Sequence, residues 1–192
     1  MAKKIRLSFD DGPKPVPALT KILKILDDNH VVADFYVNGV EMEDAAGKAG
    51  AQAIHAGHHK VENHAFHHIK LSPLPIETLR EEVKKNQKII KDTVGVLPTR
   101  LRPPYGDGMW TNPKDPELLQ VAREENLTIT LWQVDTEDWK VPMADKWDWV
   151  MGEVKKRATK DLNDVLMHVL ETTARDLPEL ITRLKGEGYE FG

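Results

Sequence analysis

Short β-branched or aromatic runs alternate with stretches of helical apolar spacing along the whole of this 192-residue chain. That alternation restricts the fold more than any other feature. Ile5–Phe9 reads as a strand, and Val16–Leu26 reads as a helix with apolar residues at Val16, Leu19, Ile22, Leu23 and Leu26. Val31–Val37 is a strand, Met42–His55 a helix, and Val61–Asn63 the end of a short strand. A long helix runs from Ile76 to Val94 and stops at Gly95 and Pro98. Thr99–Arg102 is a short strand, Pro116–Glu125 a helix, and Leu127–Val134 a strong strand. Asp145–Ala158 is a helix and Asp164–His168 a strand; Leu177–Lys185 is a helix stopped by Gly186, and Tyr189–Phe191 a last strand. About seven such units in strict alternation call for a parallel sheet with helices outside it. The length is short for a complete (β/α)₈ barrel, so a smaller or incomplete barrel is expected, with a doubly wound open sheet as the runner-up. No repeat and no Pro/Gly/Ser-rich linker divides the chain, so residues 1–192 are expected to form one domain.

Composition closes off several functions. Cysteine is absent, which excludes a disulfide framework, a thiol nucleophile and a thiolate metal site. Lys and Arg number 27 against 31 Asp and Glu, so the net charge of −4 gives no electrostatic case for nucleic acid. No apolar run is long enough to span a membrane. The apolar stretch after Met1-Ala2-Lys3-Lys4 is too short for a secretory leader. A cytoplasmic location is expected if the chain is full length, and a secreted one if a leader was trimmed.

In either architecture the active site forms where the strands end. The residues that follow the expected strands are Asp10-Asp11-Gly12-Pro13, then Asn63-His64 with His68 close behind, then Arg102-Pro103-Pro104-Tyr105-Gly106, then Asp135 with Asp138-Trp139, and finally His168. Each brings a titratable group to the same rim. A lone Asp-Gly-Pro is an ordinary solvated turn, but the coincidence at five strand ends is not explained that way.

Six of the eight histidines lie between His55 and His68, and without thiolates a transition-metal site has to use histidine and carboxylate. His64 and His68 are spaced i, i+4, which sets both rings on one face of a helical turn. His55/His59 share that spacing and His64/His67 is a further pairing; His64/His68 is preferred because the strand pattern ends just before His64. Asp10 and Asp11 are adjacent carboxylates, whose repulsion favours binding a cation or a proton. Asp11, His64 and His68 make a two-histidine, one-carboxylate set with room for water, a pattern that suits zinc and also non-haem Fe(II).

Taken together and in order, these segments resemble the polysaccharide deacetylases, the NodB-homology proteins or family 4 carbohydrate esterases. The likeness extends from Ser8 to Phe191. It rests on Ser8-Phe9-Asp10-Asp11-Gly12-Pro13, His64-Ala65-Phe66-His67-His68, Arg102-Pro103-Pro104-Tyr105-Gly106, Asp135-Thr136-Glu137-Asp138-Trp139 and Leu166-Met167-His168. The chain departs from the family's usual pattern at Ala65, at His58 and Glu62, at Val169, and in the strand Asp34-Phe35-Tyr36-Val37.

The resemblance implies a distorted (β/α)₇ barrel and metal-dependent hydrolysis of acetyl groups on sugars. By it, Asp11, His64 and His68 hold Zn²⁺ or another divalent metal such as Co²⁺, Ni²⁺ or Mn²⁺. Asp10 is then the general base, paired with Arg102. His168 is the general acid, held by Asp138, and the backbone N–H of Tyr105 stabilises the oxyanion. Leu166 lines the acetyl pocket, and Trp139, with Trp110 as a weaker candidate, walls the glycan groove. Trp132, Trp147 and Trp149 are read as structural, and His55, His58, His59 and His67 are left without a role. The expected substrate is a glycan containing N-acetylglucosamine, from chitin oligomers or peptidoglycan, and the expected state is a monomer. The competing readings are an O-acetyl esterase acting on acetylated xylan, a catalytically silent carbohydrate-binding domain, and an Fe(II) oxygenase using the same ligands.

Overall fold

A computed structural model describes residues 3–159 and 162–192. Its elements are β1 (Lys4–Gly12), α1 (Val16–Asp28), β2 (Ala33–Val37), α2 (Ala45–Ala56), β3 (Lys60–Asn63), α3 (Ile76–Val94), β4 (Arg100–Leu101), α4 (Pro116–Glu124), β5 (Thr128–Ile129), β6 (Val134–Asp135), α5 (Trp147–Arg157), β7 (Leu162–His168), α6 (Glu171–Gly186) and β8 (Glu190–Phe191). All pairings are parallel, in the order β5-β4-β3-β2-β1-β7-β6, with β8 beside the first residues of β1. This is a curled parallel sheet wrapped by helices, of the distorted (β/α)₇ barrel type.

The expected strand Leu127–Val134 is not one strand. Thr128–Ile129 pairs with β4, and Val134–Asp135 pairs with β7 at the opposite end of the sheet. The Thr130 amide still donates to Leu101 O at 2.9 Å, while the Gln133 amide donates to Asp164 O at 3.1 Å. One extended segment therefore changes partner midway, and it links the two ends of the curled sheet. Two helices also differ from expectation. Met42–His55 splits into a 3₁₀ turn, Gly39–Met42, and α2, whose N-cap Asp44 accepts the Gly47 amide at 2.8 Å. The helix expected at Leu177–Lys185 begins at Glu171 and runs through Pro178. Thr173, Ala174, Leu177, Leu180, Ile181 and Leu184 keep a buried stripe on both sides of that proline, and the packing outweighs one lost backbone hydrogen bond.

Side-chain alternation divides the sheet into two faces. Ile5, Leu7 and Phe9 of β1, Ala33, Phe35 and Val37 of β2, and Val165 and Met167 of β7 join the main apolar core with α1 and α6. Phe9 and Phe35 stack there at 4.9 Å. Burial of such a side chain contributes about 1.5–3 kcal/mol. Most of the intervening residues are polar, among them Arg6, Ser8, Asp34 and Asp164, with Leu166 the apolar exception. Arg6 and Arg100 pair with Asp34, and the Glu62 carboxylate accepts the amides of Thr99 and Arg100, each at 2.8 Å. One step further along the strands, Ser8, Arg102 and Asp164 form the next hydrogen-bonded group. The barrel interior is thus a stack of ion pairs leading to the strand ends, where the functional groups collect.

Candidate active site

Strand β1 carries an irregularity that explains how Asp10 and Asp11 serve one site. Phe9 pairs with Phe35 but Gly12 pairs with Val37, so three residue steps on β1 oppose two on β2. Adjacent side chains on a regular strand point to opposite faces. The extra residue, with Asp11 at φ 64°, turns both carboxylates into the same cleft.

His64 and His68 are not on a helical turn, as the i, i+4 spacing suggested. They lie in an irregular loop after β3 in which Ala65 (φ 61°) and His68 (φ 54°) are left-handed. A set of asparagines fixes this loop. Asn38 Nδ2 donates to His64 O at 2.7 Å, the Ala65 amide donates to Asn63 Oδ1 at 2.8 Å, and Asn86 Nδ2 donates to Val37 O and Asn63 Oδ1. The resulting ring centroids of His64 and His68 are 5.1 Å apart.

The donor set suits a metal ion on its own geometry. The His64 Nδ1–H donates to the Arg102 carbonyl at 2.7 Å, so the neutral ring presents the Nε2 lone pair to Asp11. Asp11 Oδ1 lies 3.5 Å from that atom and 3.1 Å from His68 Nε2, and it is buried without a hydrogen-bond partner. An orphaned carboxylate oxygen facing imidazole nitrogens is relieved by a cation placed among them. Burial would raise the Asp11 carboxyl, but in the metal-free site the facing His64, when protonated, with His68 and His168 in the same state, outweighs it and holds the value at about 2. Among the described residues, this is the one group of three or more His, Asp or Glu side chains that converges on a single metal position. The other pairings do not. His67 Nδ1 bonds Glu82 at 2.6 Å, and His59 Nδ1 accepts the Ala33 amide. His55 and His58 line a separate surface hollow.

Asp10 and His168 sit in register at the ends of neighbouring strands β1 and β7. Behind Asp10 lies Arg102, fully buried, with Nη1 2.7 Å from Asp10 Oδ1 and 2.9 Å from Ser8 Oγ, and Nη2 2.9 Å from Asp164 Oδ2. Burial opposes the guanidinium charge, but Asp10 and Asp164 more than restore it. The Tyr36 ring covers the guanidinium at 3.9 Å. Behind His168 lies Asp138, which accepts from His168 Nδ1 and from the His168 amide, both at 2.8 Å, and from Thr173 Oγ1 at 2.5 Å. Burial would lower the His168 pKa, but this hydrogen bond and the charges of Asp138, Asp10 and Asp11 raise it to about 9.

Asp10, Asp11, His64, His68, Tyr105, Trp139, Leu166 and His168 line one cleft of 360 Å³. A larger hollow of 630 Å³ between α1 and α6 has no such convergence. Tyr105 is left-handed (φ 64°) on the Pro104–Gly106 turn, its ring 4.8 Å from His68. Arg102 and Asp138 stay beneath the cleft, where they contact Asp10 and His168. Trp110 lies outside the cleft, edge-on to Trp132. Trp132, read from sequence as structural, lines the cleft instead, as does Asp135. Ser8, Tyr36, Asp164 and Thr173 were missed. Ser8 had one signal, a polar residue at every second position of its strand, visible at Arg6, Ser8 and Asp10; Thr173, on α6, had none.

Comparison with known proteins places the chain in a family. A family model described as polysaccharide deacetylase matches residues 1–130. The peptidoglycan-N-acetylglucosamine deacetylase PgdA of Listeria monocytogenes is 36% identical over 193 residues, covering 98% of this chain but 37% of the relative. The chain thus spans little more than a third of that protein's length. A family 4 carbohydrate esterase pseudoenzyme from Bacillus anthracis superposes with a TM-score of 0.85 at 26% identity, over all of this chain and 63% of its own. The family 4 carbohydrate esterase from Streptomyces lividans, solved with acetate, superposes at 0.82 with 26% identity, over 99% and 92% of the two chains. The chain belongs to the polysaccharide deacetylase family.

Proposed function

We propose that this chain is a divalent-metal-dependent deacetylase that hydrolyses N-acetyl groups of N-acetylglucosamine-containing glycans to free amine and acetate. The observation that carries this reading is the pairing of Asp10 with His168 in register, across one cleft from Asp11, His64 and His68. The name of the Listeria relative, a peptidoglycan-N-acetylglucosamine deacetylase, supports the choice of glycan.

Asp11, His64 and His68 would hold the metal, for which zinc suits the nitrogen and oxygen donors, and which would supply Lewis acidity toward the acetyl carbonyl and the attacking water. Asp10 takes the water proton on Oδ2 while Arg102 fixes its other oxygen. The Tyr105 backbone N–H is the donor to the developing oxyanion, a contact worth about 3 kcal/mol in comparable sites. His168 gives its Nε2 proton to the leaving nitrogen, since Nδ1 is occupied by Asp138. Leu166 on the cleft wall meets the acetyl methyl, and Trp139 offers an exposed indole to the sugar ring.

The raised pKa of His168 keeps its proton in place at neutral pH, which an amide leaving group requires and an ester does not. A bound cation lowers that value, so the alkaline limb of kcat is expected below pH 9 in the loaded enzyme. Asp138→Asn removes the charge that raises it, so the limb is expected to move to lower pH. A pH–rate profile with an unmoved limb would reject His168 as the acid. The same proton stabilises the metal-free fold. It contributes fully below the ordinary value of 6.5 and is lost as pH rises through about 9.

Acetate release from N-acetylglucosamine oligomers, peptidoglycan fragments and acetylated xylan tests the activity, with the protein chelated and then reloaded with zinc or cobalt. Release from the amide-bearing glycans only after metal add-back is the expected result. Release from xylan alone, indifferent to His168→Ala, would replace this reading with the esterase. No release from any glycan after reloading, with glycan still bound, would make the domain a binding module.

A further inference from the structure

Asp10 is only as well placed as the group behind it. Arg102 Nη1 holds Asp10 Oδ1 at 2.7 Å, which leaves Asp10 Oδ2 on the side of His64, 3.6 Å from its Nε2. A guanidinium is a flat fork on a flexible stem, and a hold on one prong alone lets it turn about that prong. The Tyr36 ring, at 3.9 Å, fixes the plane of the Arg102 fork but not its rotation within the plane. Arg102 Nε is buried without a hydrogen-bond partner among the described residues, so it adds no constraint.

Asp164 supplies the missing hold. Its Oδ2 accepts from Arg102 Nη2 at 2.9 Å, and its Oδ1 accepts from Ser8 Oγ at 2.5 Å. Ser8 Oγ in turn accepts from Arg102 Nη1 at 2.9 Å. The three side chains close a ring in which each is held by the other two. The main chain of Asp164 is anchored as well. Its amide donates to Gln133 Oε1 at 2.8 Å, and its carbonyl accepts the Gln133 amide at 3.1 Å.

Charge balance gives no reason for Asp164. Asp10 alone neutralises Arg102, whereas Asp34 in the neighbouring layer is met by both Arg6 and Arg100. Burial pushes the Asp164 carboxyl up, and Asp10 and Asp34 push it further, against the hold of Arg102 and Ser8. A second buried carboxylate on one cation opposes folding, and an apolar side chain would fill the position at less cost, as Leu166 does two residues on in the same strand. What the carboxylate adds is direction, because its two oxygens capture one prong of the fork and the hydroxyl that braces the other.

We propose that Asp164 is a positioning residue for the general base: with Ser8 it locks the Arg102 fork at the rotation that holds Nη1 on Asp10 Oδ1, and so keeps Asp10 Oδ2 turned toward the water it deprotonates. That last step rests on the deacetylase reading above. Neither Asp164 nor Ser8 lines the cleft, so both act through Arg102.

The test joins kinetics to a spectroscopic readout of the fork. Zinc-loaded Asp164→Leu is expected to lose roughly five- to twentyfold in kcat on N-acetylglucosamine oligomers, with KM and metal content unchanged, since a misdirected base slows chemistry and not binding. Asp164→Asn, whose Oδ1 can still accept from Nη2, should recover part of that loss. Ser8→Ala removes a single oxygen from the ring and should lower kcat by a smaller factor, roughly two to five. In an Arg102→Lys background there is no second prong to direct, so Asp164→Leu is expected to change kcat by less than about twofold. An equal loss in both backgrounds would make Asp164 merely structural and overturn the proposal. In the metal-free protein, proton–nitrogen NMR should resolve the Arg102 Nη protons separately in the wild type and find them averaged in Asp164→Leu. Nη signals that do not change on that substitution would overturn the lock and leave the deacetylase reading intact. A lock seen by NMR in a protein that releases no acetate would support the action of Asp164 on Arg102 and overturn the deacetylase reading.

Discussion

Asp10→Asn is expected to lower kcat by roughly 10²–10⁴-fold, the usual contribution of a positioned general base. The replacement is isosteric, and its amide oxygen can still accept from Arg102, which holds the wild-type carboxylate at 2.7 Å. It cannot take a proton from water. The metal position should persist, because Asp11, His64 and His68 converge without Asp10 as a member of the set. Its orphaned oxygen belongs to Asp11. Metal content measured on the variant is therefore expected to match the wild type while turnover on N-acetylglucosamine oligomers collapses. A loss below tenfold with full metal content would move the base to another group. Asp135, which also lines the cleft and whose carboxyl burial pushes up, would be the first to examine.

The contrast between Asp10 and Asp11 shows what the sequence could and could not disclose. Their position after a strand is legible, because a parallel sheet collects function at the ends of its strands. The way both reach one cleft is not legible, because it depends on a bulge against β2 that only pairing reveals. The same holds for His64 and His68. Their spacing singled out the pair that converges with Asp11, but not through a helical turn: a loop with two left-handed residues, tied down by asparagines, takes its place. Trp132 was misplaced because Leu127–Val134 reads as one strand by local pattern. Its division between β4 and β7 is a consequence of how the sheet curls. Asp164 was hidden differently. A buried carboxylate on this strand has meaning only once Arg102, 62 residues away in sequence, is seen beside it.

That pairing makes Arg102→Met the substitution with the largest expected cost to stability. Arg102 is fully buried between Asp10 and Asp164, and Ser8 bridges the group by donating to Asp164 and accepting from Arg102. Methionine fills much of the space but leaves two carboxylates facing each other without a counter-charge. Breaking a buried pair in this way typically costs about 3–5 kcal/mol, a large share of the roughly 5–15 kcal/mol that holds a domain folded. Urea denaturation at pH 7 should record a midpoint shift of that order, together with loss of turnover. The deficit relative to wild type is expected to shrink toward acid pH. Burial already pushes the Asp164 carboxyl up, and without Arg102 it rises further, so protonation removes the uncompensated charge as pH falls. Arg102→Met combined with Asp164→Asn is expected to recover part of the stability, because one of the two stranded charges is gone. Turnover should not return, because Asp10 still lacks the group that orients it. Equal destabilisation of the single and double variants at pH 7 would show that packing around Arg102, including the Tyr36 ring at 3.9 Å, outweighs its charge.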